Sequence, residues 1–206
     1  MISAVGIHVE SHGNSVPTNA EEIRPLLVGQ KLPNLTLRTP ENSEINLNDE
    51  IAKKPTVLIF YRGGWCPYCN SHLGKIKNIE AEITTMGFQI IAICPDRPTL
   101  LKAATERYKL TYQLLSDSGM SASRAMGIAF KVEDSIVEKY KKDWGIDLES
   151  DSGQRHHQLP VPSVYLIGKD GTIHFSYVNP NYKVRLAPQV LLAAANAMIE
   201  SSDGTK

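Results

Sequence analysis

The sequence predicts an α/β fold, a mixed central β-sheet flanked by helices on both faces, with an N-terminal hairpin extension. Three observations carry that expectation. Residues 56–61 and 88–93 are nearly continuous apolar runs, the signature of strands buried on both faces. Between them Leu73, Ile76, Ile79, Ile83 and Met86 recur at spacings of three and four, giving a helix one apolar stripe. Near the end, Gly168-Lys169-Asp170-Gly171 separates two β-rich runs, 163–167 and 172–178, with hairpin turn chemistry.

Taken in order, residues 1–24 are polar and irregular and read as a loose arm or a wrap over the surface. The rest, 25–200, reads as one domain without a linker or repeat. Two alternating runs between Leu32 and Leu47 flank Pro40-Glu41-Asn42 and predict the hairpin. The first buried strand stops at Gly63-Gly64. A helix follows to Gly87, a plausible stop. Then come a strand at 88–93, a helix at 98–109, a short strand at 112–115 and helices at 119–127 and 133–143. Residues 149–158 are polar and read as a loop, and residues 184–199 as a closing helix. Strands alternating with helices imply right-handed parallel crossovers in the first half.

Composition narrows the function. The chain has 206 residues, enough to bury a substantial core, and 42 % are hydrophobic. Its 22 basic and 22 acidic side chains cancel, and no charge run appears. Nucleic acid and anionic membrane are therefore not expected partners. No stretch approaches the ~18 apolar residues of a membrane span. The first residues lack the basic and apolar regions of a secretory signal. The expected compartment is intracellular and reducing, the cytoplasm.

Of three cysteines, Cys66, Cys69 and Cys94, the first two lie three residues apart. A close pair in a reducing compartment is catalytic or metal-binding more often than structural. Its place, after a buried strand and at the start of a helix, favours chemistry. Unpaired N–H groups and the helix dipole stabilise a thiolate there. At this spacing the thiols can close into a small disulfide ring. Cys66 is expected at the exposed helix tip and Cys69 one turn in and more buried, so that Cys66 attacks and Cys69 resolves. The pair is also half of a zinc site. The other half is missing, because His72 and His156-His157 do not complete a finger spacing, so no metal is expected. No cofactor is expected either. Cys94 reads as core filler, with a resolving role as the alternative, and the two adjacent histidines as solvated surface. Arg62 is open: it either lowers the thiol pKa or faces solvent.

The run Phe60-Tyr61-Arg62-Gly63-Gly64-Trp65-Cys66-Pro67-Tyr68-Cys69 resembles a thioredoxin active site, with a Pro67-Tyr68 dipeptide similar to that of glutaredoxins. Val161-Pro162-Ser163-Val164-Tyr165 resembles the segment that carries the cis-proline of thioredoxin-like folds. The resemblance implies that Pro162 faces the cysteines and that Val161 offers backbone to a substrate. From Val28 to about Ala197 the chain is similar to peroxiredoxins of the alkyl hydroperoxide reductase and thiol-specific antioxidant family. The segments Val28-Gly29, Leu32-Pro33-Asn34-Leu35-Thr36-Leu37, Leu115-Ser116-Asp117 and Ala125-Met126-Gly127 carry that likeness. A gap-free comparison puts the family's proline at Arg62, its Thr or Ser at Cys66, its peroxidatic cysteine at Cys69 and its arginine at Pro162. Three of these four positions depart from the family pattern.

The resemblance implies a thiol-based oxidoreductase of antioxidant or peroxidase type that cycles a Cys66–Cys69 dithiol and disulfide. Trp65, Arg62, Pro67 and Tyr68 would support the pair. It implies a hydroperoxide or disulfide substrate, a thiol reductant such as thioredoxin or glutathione, and a homodimer as one assembly. A disulfide oxidoreductase and a non-catalytic redox sensor are the alternatives. Thioredoxin logic makes Cys66 the leading thiol, and the gap-free peroxiredoxin comparison makes it Cys69.

Overall fold

A computed structural model describes residues 16–203, with side chains from 16 to 200. The arm expected at 1–24 falls outside the described residues up to position 15. Its remainder holds a single 3-10 turn at Ala20–Glu22. This stretch is tied down by backbone: Lys131 N–H donates to Pro17 O and Arg24 N–H to Gly127 O, at 2.7 and 3.0 Å. Gly127 has φ +69, and a Cβ there would meet Arg24 O at 1.9 Å, so the close approach requires glycine.

The hairpin is β1 (Thr36–Arg38) and β2 (Glu44–Asn46), in register at Leu37 and Ile45. Helix α1 (Leu47–Lys53) follows; Asn46 caps it by accepting from Asn48 N–H. Then come β3 (Thr56–Phe60), α2 (Pro67–Asn78), α3 (Glu80–Thr85), β4 (Gln89–Cys94), α4 (Pro98–Tyr108) and β5 (Gln113–Ser116). After these stand α5 (Ser121–Ala125), β6 (Ala129–Lys131), α6 (Asp134–Trp144), α7 (Leu148–Ser152) and β7 (Gln158–Pro160). The chain closes with β8 (Ser163–Ile167), β9 (Ile173–Val178) and α8 (Pro188–Asp203).

Seven strands make one sheet in the order β2-β1-β5-β4-β3-β8-β9. β3, β4 and β5 run parallel, and β8 and β9 add antiparallel neighbours. β1 joins the other side against β5, also antiparallel. The sheet is mixed and central, as the sequence predicts. Because side chains alternate along a strand, Val57, Ile59 and Tyr61 enter one core and Leu58 and Phe60 the other. That is why the run reads as continuous apolar sequence. The first core takes Leu73 and Ile76 of α2, Ile83 of α3, Leu101 of α4 and Leu191 of α8. The second takes Leu47 and Ile51 of α1 and Ala122 of α5.

Three expectations need correction. The helix after the cysteines breaks at Ile79 (φ −106, ψ 6) into α2 and α3. The apolar period continues through the break, so the spacing alone does not reveal it. The stretch 149–158 is not a bare loop but holds most of α7 and the start of β7. The five residues of α7 are too few to show a period; Asp147 caps them by accepting from Ser150 N–H, and Gly153 ends them at φ +71. β7 pairs with β6 in a second, two-stranded sheet. The closing helix begins at Pro188, not 184, since proline suits a first helical turn. Among the described residues no helix is long and apolar enough to cross a membrane.

Candidate active site

The turn between β3 and α2 is held from three sides. Gly63 has φ +141, and a Cβ there would lie 2.6 Å from Asp96 Oδ1 and 2.5 Å from Trp65 Nε1. Glycine therefore lets the turn fold over a buried carboxylate. Gly64 N–H donates to Asp96 Oδ2 at 2.6 Å, and Gly64 O accepts from Asn70 Nδ2 at 2.8 Å. Asn70 Nδ2 also donates to Tyr108 OH of α4 at 2.9 Å.

Cys66 is the N-cap of α2 and Pro67 opens the helix. All three cysteines are free thiols. Cys66 and Cys69 are both 1 % exposed, which corrects the expected exposed and buried pair. Both belong to the first core, and the segment between β9 and α8 lays Tyr182 edge-on to Tyr68 at 5.7 Å and brings Arg185 to Cys69. Pro67 and Tyr68 remain exposed, and the sulfurs beneath them do not.

The two thiols titrate in opposite directions. Cys66 is lowered to about 6, first by the hydrogen bond from the Cys69 thiol and then, against the cost of burial, by the Cys69 N–H and the positive Arg62 and Arg185. Cys69 is pushed up, first by burial and then by its bond and charge interaction with Cys66, which Arg185 partly offsets. Within the pair the charge is thus favoured on Cys66 over Cys69.

Arg62 is resolved in favour of the thiolate. It is 4 % exposed, with its guanidinium 4.1 Å from the centre of the Tyr182 ring and 4.9 Å from that of Trp65. Its Nη2 donates to Tyr140 OH of α6 at 2.6 Å. Trp65 also meets Tyr140 edge-on at 6.0 Å, which ties the turn to α6.

The sequence does not single out the other guanidinium. Arg185 Nη2 donates to Cys69 Sγ at 3.2 Å. It comes from an irregular segment after β9, where no periodicity or motif marks it. Gap-free comparison puts the family arginine at Pro162 instead. His72, one turn beyond Cys69, is buried and lowered to about 4, first by burial and then by Arg185, so it is neutral. Asp96 was also invisible in sequence, since it reads as loop after Cys94.

The Val161–Pro162 bond is trans: no described peptide bond is cis, a correction to the resemblance. Val161 is fully buried, and its N–H donates to Ile128 O at 2.8 Å, so that N–H is not offered to a substrate. Cys94 is buried in the first core. The histidine pair is not simply solvated. His156 Nδ1 accepts from Gln158 N–H, so its Nε2 donates to Ser118 O, and His157 sits between Asp134 and Glu149.

Comparison with known proteins agrees with this architecture. The model of the AhpC/TSA family matches residues 28–176. Peroxiredoxin Q of Gentiana triflora is 26 % identical over 151 residues, covering 73 % of this chain and 58 % of that one. Peroxiredoxin Q of Arabidopsis thaliana is 28 % identical over 151 residues, with 73 % and 59 % covered. The match thus spans less than two thirds of the length of these relatives. Among solved structures, peroxidoxin BcpB from Mycobacterium tuberculosis superposes with a TM-score of 0.65 at 16 % identity, over 83 % of this chain and 97 % of that one. Reduced Prx3 from Vibrio vulnificus, in complex with hydrogen peroxide, gives 0.67 at 18 %, over 82 % and 99 %. A thioredoxin-like sheet, a dithiol at the head of its first long helix and a family match over most of the length lead to one conclusion: the chain belongs to the AhpC/TSA family.

Proposed function

We propose that the protein is a thiol-dependent peroxidase that reduces small hydroperoxides by cycling Cys66 and Cys69. The observation that carries this reading is the buried Cys66 thiol at the head of α2, lowered to about 6 first by the hydrogen bond from Cys69 and then, against burial, by the Cys69 N–H and the charges of Arg62 and Arg185, the second of which bonds Cys69 Sγ. A thiolate at neutral pH is the nucleophile the reaction needs. Family membership and the bound peroxide of the Vibrio vulnificus neighbour support the substrate class. The positions at which the family holds its peroxide carry Arg62, Cys66 and Pro162 here, and two guanidiniums stand in for the missing donors.

In this reading the Cys66 thiolate attacks the distal peroxide oxygen. An S–O bond forms, the O–O bond breaks, and the leaving alkoxide takes a proton to depart as an alcohol or water. The Cys69 thiol then attacks the sulfenic sulfur, the disulfide closes and water leaves. A thiol reductant restores the pair. Burial of both sulfurs at 1 % favours a small hydroperoxide over a folded protein disulfide, which needs surface contact.

The test is the rate at which hydrogen peroxide oxidises the reduced protein, followed through Trp65 beside Cys66. We expect a rate far above that of free cysteine, lost in Cys66→Ser. Cys69→Ser should still react but stop at a sulfenic acid trappable with dimedone. A wild-type rate like that of free cysteine would reject the peroxidase and leave disulfide exchange.

A further inference from the structure

A cavity of about 600 Å³ opens between α2 and the segment entering α8. A site of this size takes a small molecule of tripeptide scale. Its wall carries Lys75, Lys183 and Arg185 and no carboxylate. In a chain with 22 basic and 22 acidic side chains, that concentration of one sign is local. Among the described residues none of the three cations pairs with a carboxylate. Two buried nitrogens in the same wall, His72 Nε2 and Arg185 Nε, have no hydrogen-bond partner. Buried polar atoms without partners are uncommon and point to a group that completes them. Ser71 and Asn78 add neutral donors and acceptors beside the lysines.

The cavity adjoins the redox pair without reaching it. Neither sulfur lines it, but Arg185 belongs to both places, touching Cys69 Sγ at 3.2 Å. A carboxylate in the cavity would compete for that guanidinium and win, because a charged pair is stronger than a bond to a thiol. Drawing Arg185 off Cys69 uncovers the sulfur on the cavity side.

We propose that the cavity binds a carboxylate-bearing low-molecular-weight thiol, and that this thiol reduces the Cys66–Cys69 disulfide. The proposal rests on the thiol cycle above. The bound thiol loses its proton and its thiolate attacks Cys69 Sγ. The new S–S bond forms as the Cys66–Cys69 bond breaks, and the electron pair leaves on Cys66, the thiol with the lower pKa and so the better leaving group. A second thiolate attacks the sulfur of the bound molecule. The small-molecule disulfide departs, and Cys69 takes a proton from water. Two thiols are oxidised to one disulfide and the protein disulfide is reduced to the dithiol.

The test begins with protein oxidised by diamide, so that it does not depend on peroxide activity. Reduction by glutathione, 2-mercaptoethanol and cysteamine is followed by Trp65 fluorescence, each rate divided by that of the same thiol with a small model disulfide. We expect glutathione to exceed the neutral thiol by about tenfold, as two or three exposed charge pairs allow, and cysteamine to be the slowest. The glutathione excess should shrink in high salt and in a K75Q/K183Q variant. An excess that is absent, or that survives in the variant, overturns the proposal. So does reduction by thioredoxin alone, an outcome that leaves the peroxidase reading standing. If diamide forms no Cys66–Cys69 disulfide, the thiol cycle itself fails. Calorimetry with S-methylglutathione then decides the cavity: binding lost in K75Q/K183Q supports it, and no binding overturns it.

Discussion

Two neighbouring corners of the sheet end in a buried aspartate, and they treat it differently. β4 and β5 run parallel with Cys94 opposite Ser116. Asp96 follows the first strand and Asp117 the second, at 3 % and 2 % exposure. The corners are tied together: Asp117 N–H donates to Cys94 O at 2.8 Å and Ser116 OH to Asp96 O at 2.6 Å. Asp117 accepts from the N–H groups of Ala122 and Ser123 at 3.0 and 2.8 Å and from Ser123 OH at 2.7 Å. Both its oxygens are satisfied, and they cap the start of α5. Asp96 accepts from Gly64 N–H at Oδ2 and interacts with the Cys94 thiol, but its Oδ1 has no hydrogen-bond partner. Burial raises both carboxyls, and Asp96 reaches about 7. The difference lies in what each corner does: the one that shapes the start of α5 is saturated, whereas the one under the cysteine turn leaves one carboxylate oxygen without a partner.

The comparison can be broken by removing each carboxylate in turn. Asp96→Asn should have the largest effect. The folded value of about 7 lies above the ordinary 3.8. The Asp96 contribution to stability therefore falls as pH rises from about 4 to about 7 and levels off above that, by on the order of 4 kcal/mol. His72, held near 4 and so below its ordinary 6.5, contributes in the opposite direction over much of the same range. Asp96→Asn should remove the first contribution, so that stability rises more steeply with pH in the variant than in the wild type, and urea unfolding between pH 4 and 8 measures it. A variant with the wild-type slope would mean that Asp96 does not carry it.

Asp117→Ala should come next. It strands two buried N–H groups and removes a helix cap, at a cost of about 3 kcal/mol. Its urea midpoint should fall, while the thiolate absorbance titration of Cys66 should stay where it is. A shift of that titration would couple the two corners more tightly than their hydrogen bonds suggest.

The smallest effect belongs to the cover over the Asp96 corner. Trp65, Asp96 and Asp151 of α7 share a cavity of about 10 Å³, room for about one water. Across α7, His157 Nε2 meets Glu149 Oε1 at 2.8 Å, and its Nδ1 meets Asp134 Oδ1 of α6 at 2.9 Å. Its pKa is raised, first by the bond to Asp134 and, against burial, by Glu149. The stabilisation from this link is fully present below about 6.5, the ordinary histidine value, and is lost as pH rises through the higher folded one. His157→Asn should remove that dependence, read as hydrogen-exchange protection of α6 and α7. Protection unchanged across the titration in wild type would show that the link does not hold the cover.

Much of this was legible in the residues. The strand at 56–61 is buried on both faces, and a chain segment with no polar face shows it in its own text. The stripe from Leu73 to Met86 declares a helix, and the cysteine pair declares thiol chemistry, because each depends on neighbours along the chain. The helix break at Ile79 and the small α7 escaped because periodicity needs more length than they have. Equal burial of Cys66 and Cys69 escaped for a different reason: it depends on residues distant in sequence, such as Arg185, which reaches Cys69 from more than a hundred positions away.

The sequence by itself determined the alternation of strands and helices and the place of the dithiol, because local spacing encodes these; its departures from the family pattern at Arg62, Cys66 and Pro162 are read from the resemblance. Only the tertiary structure decided that Arg62 stacks inward on aromatic rings, that Arg185 reaches Cys69, that Cys66 is the thiol lowered to about 6, and that three cations line one cavity beside it. Burial and Coulomb interaction depend on distance through space, and distant stretches of chain come together only in the fold.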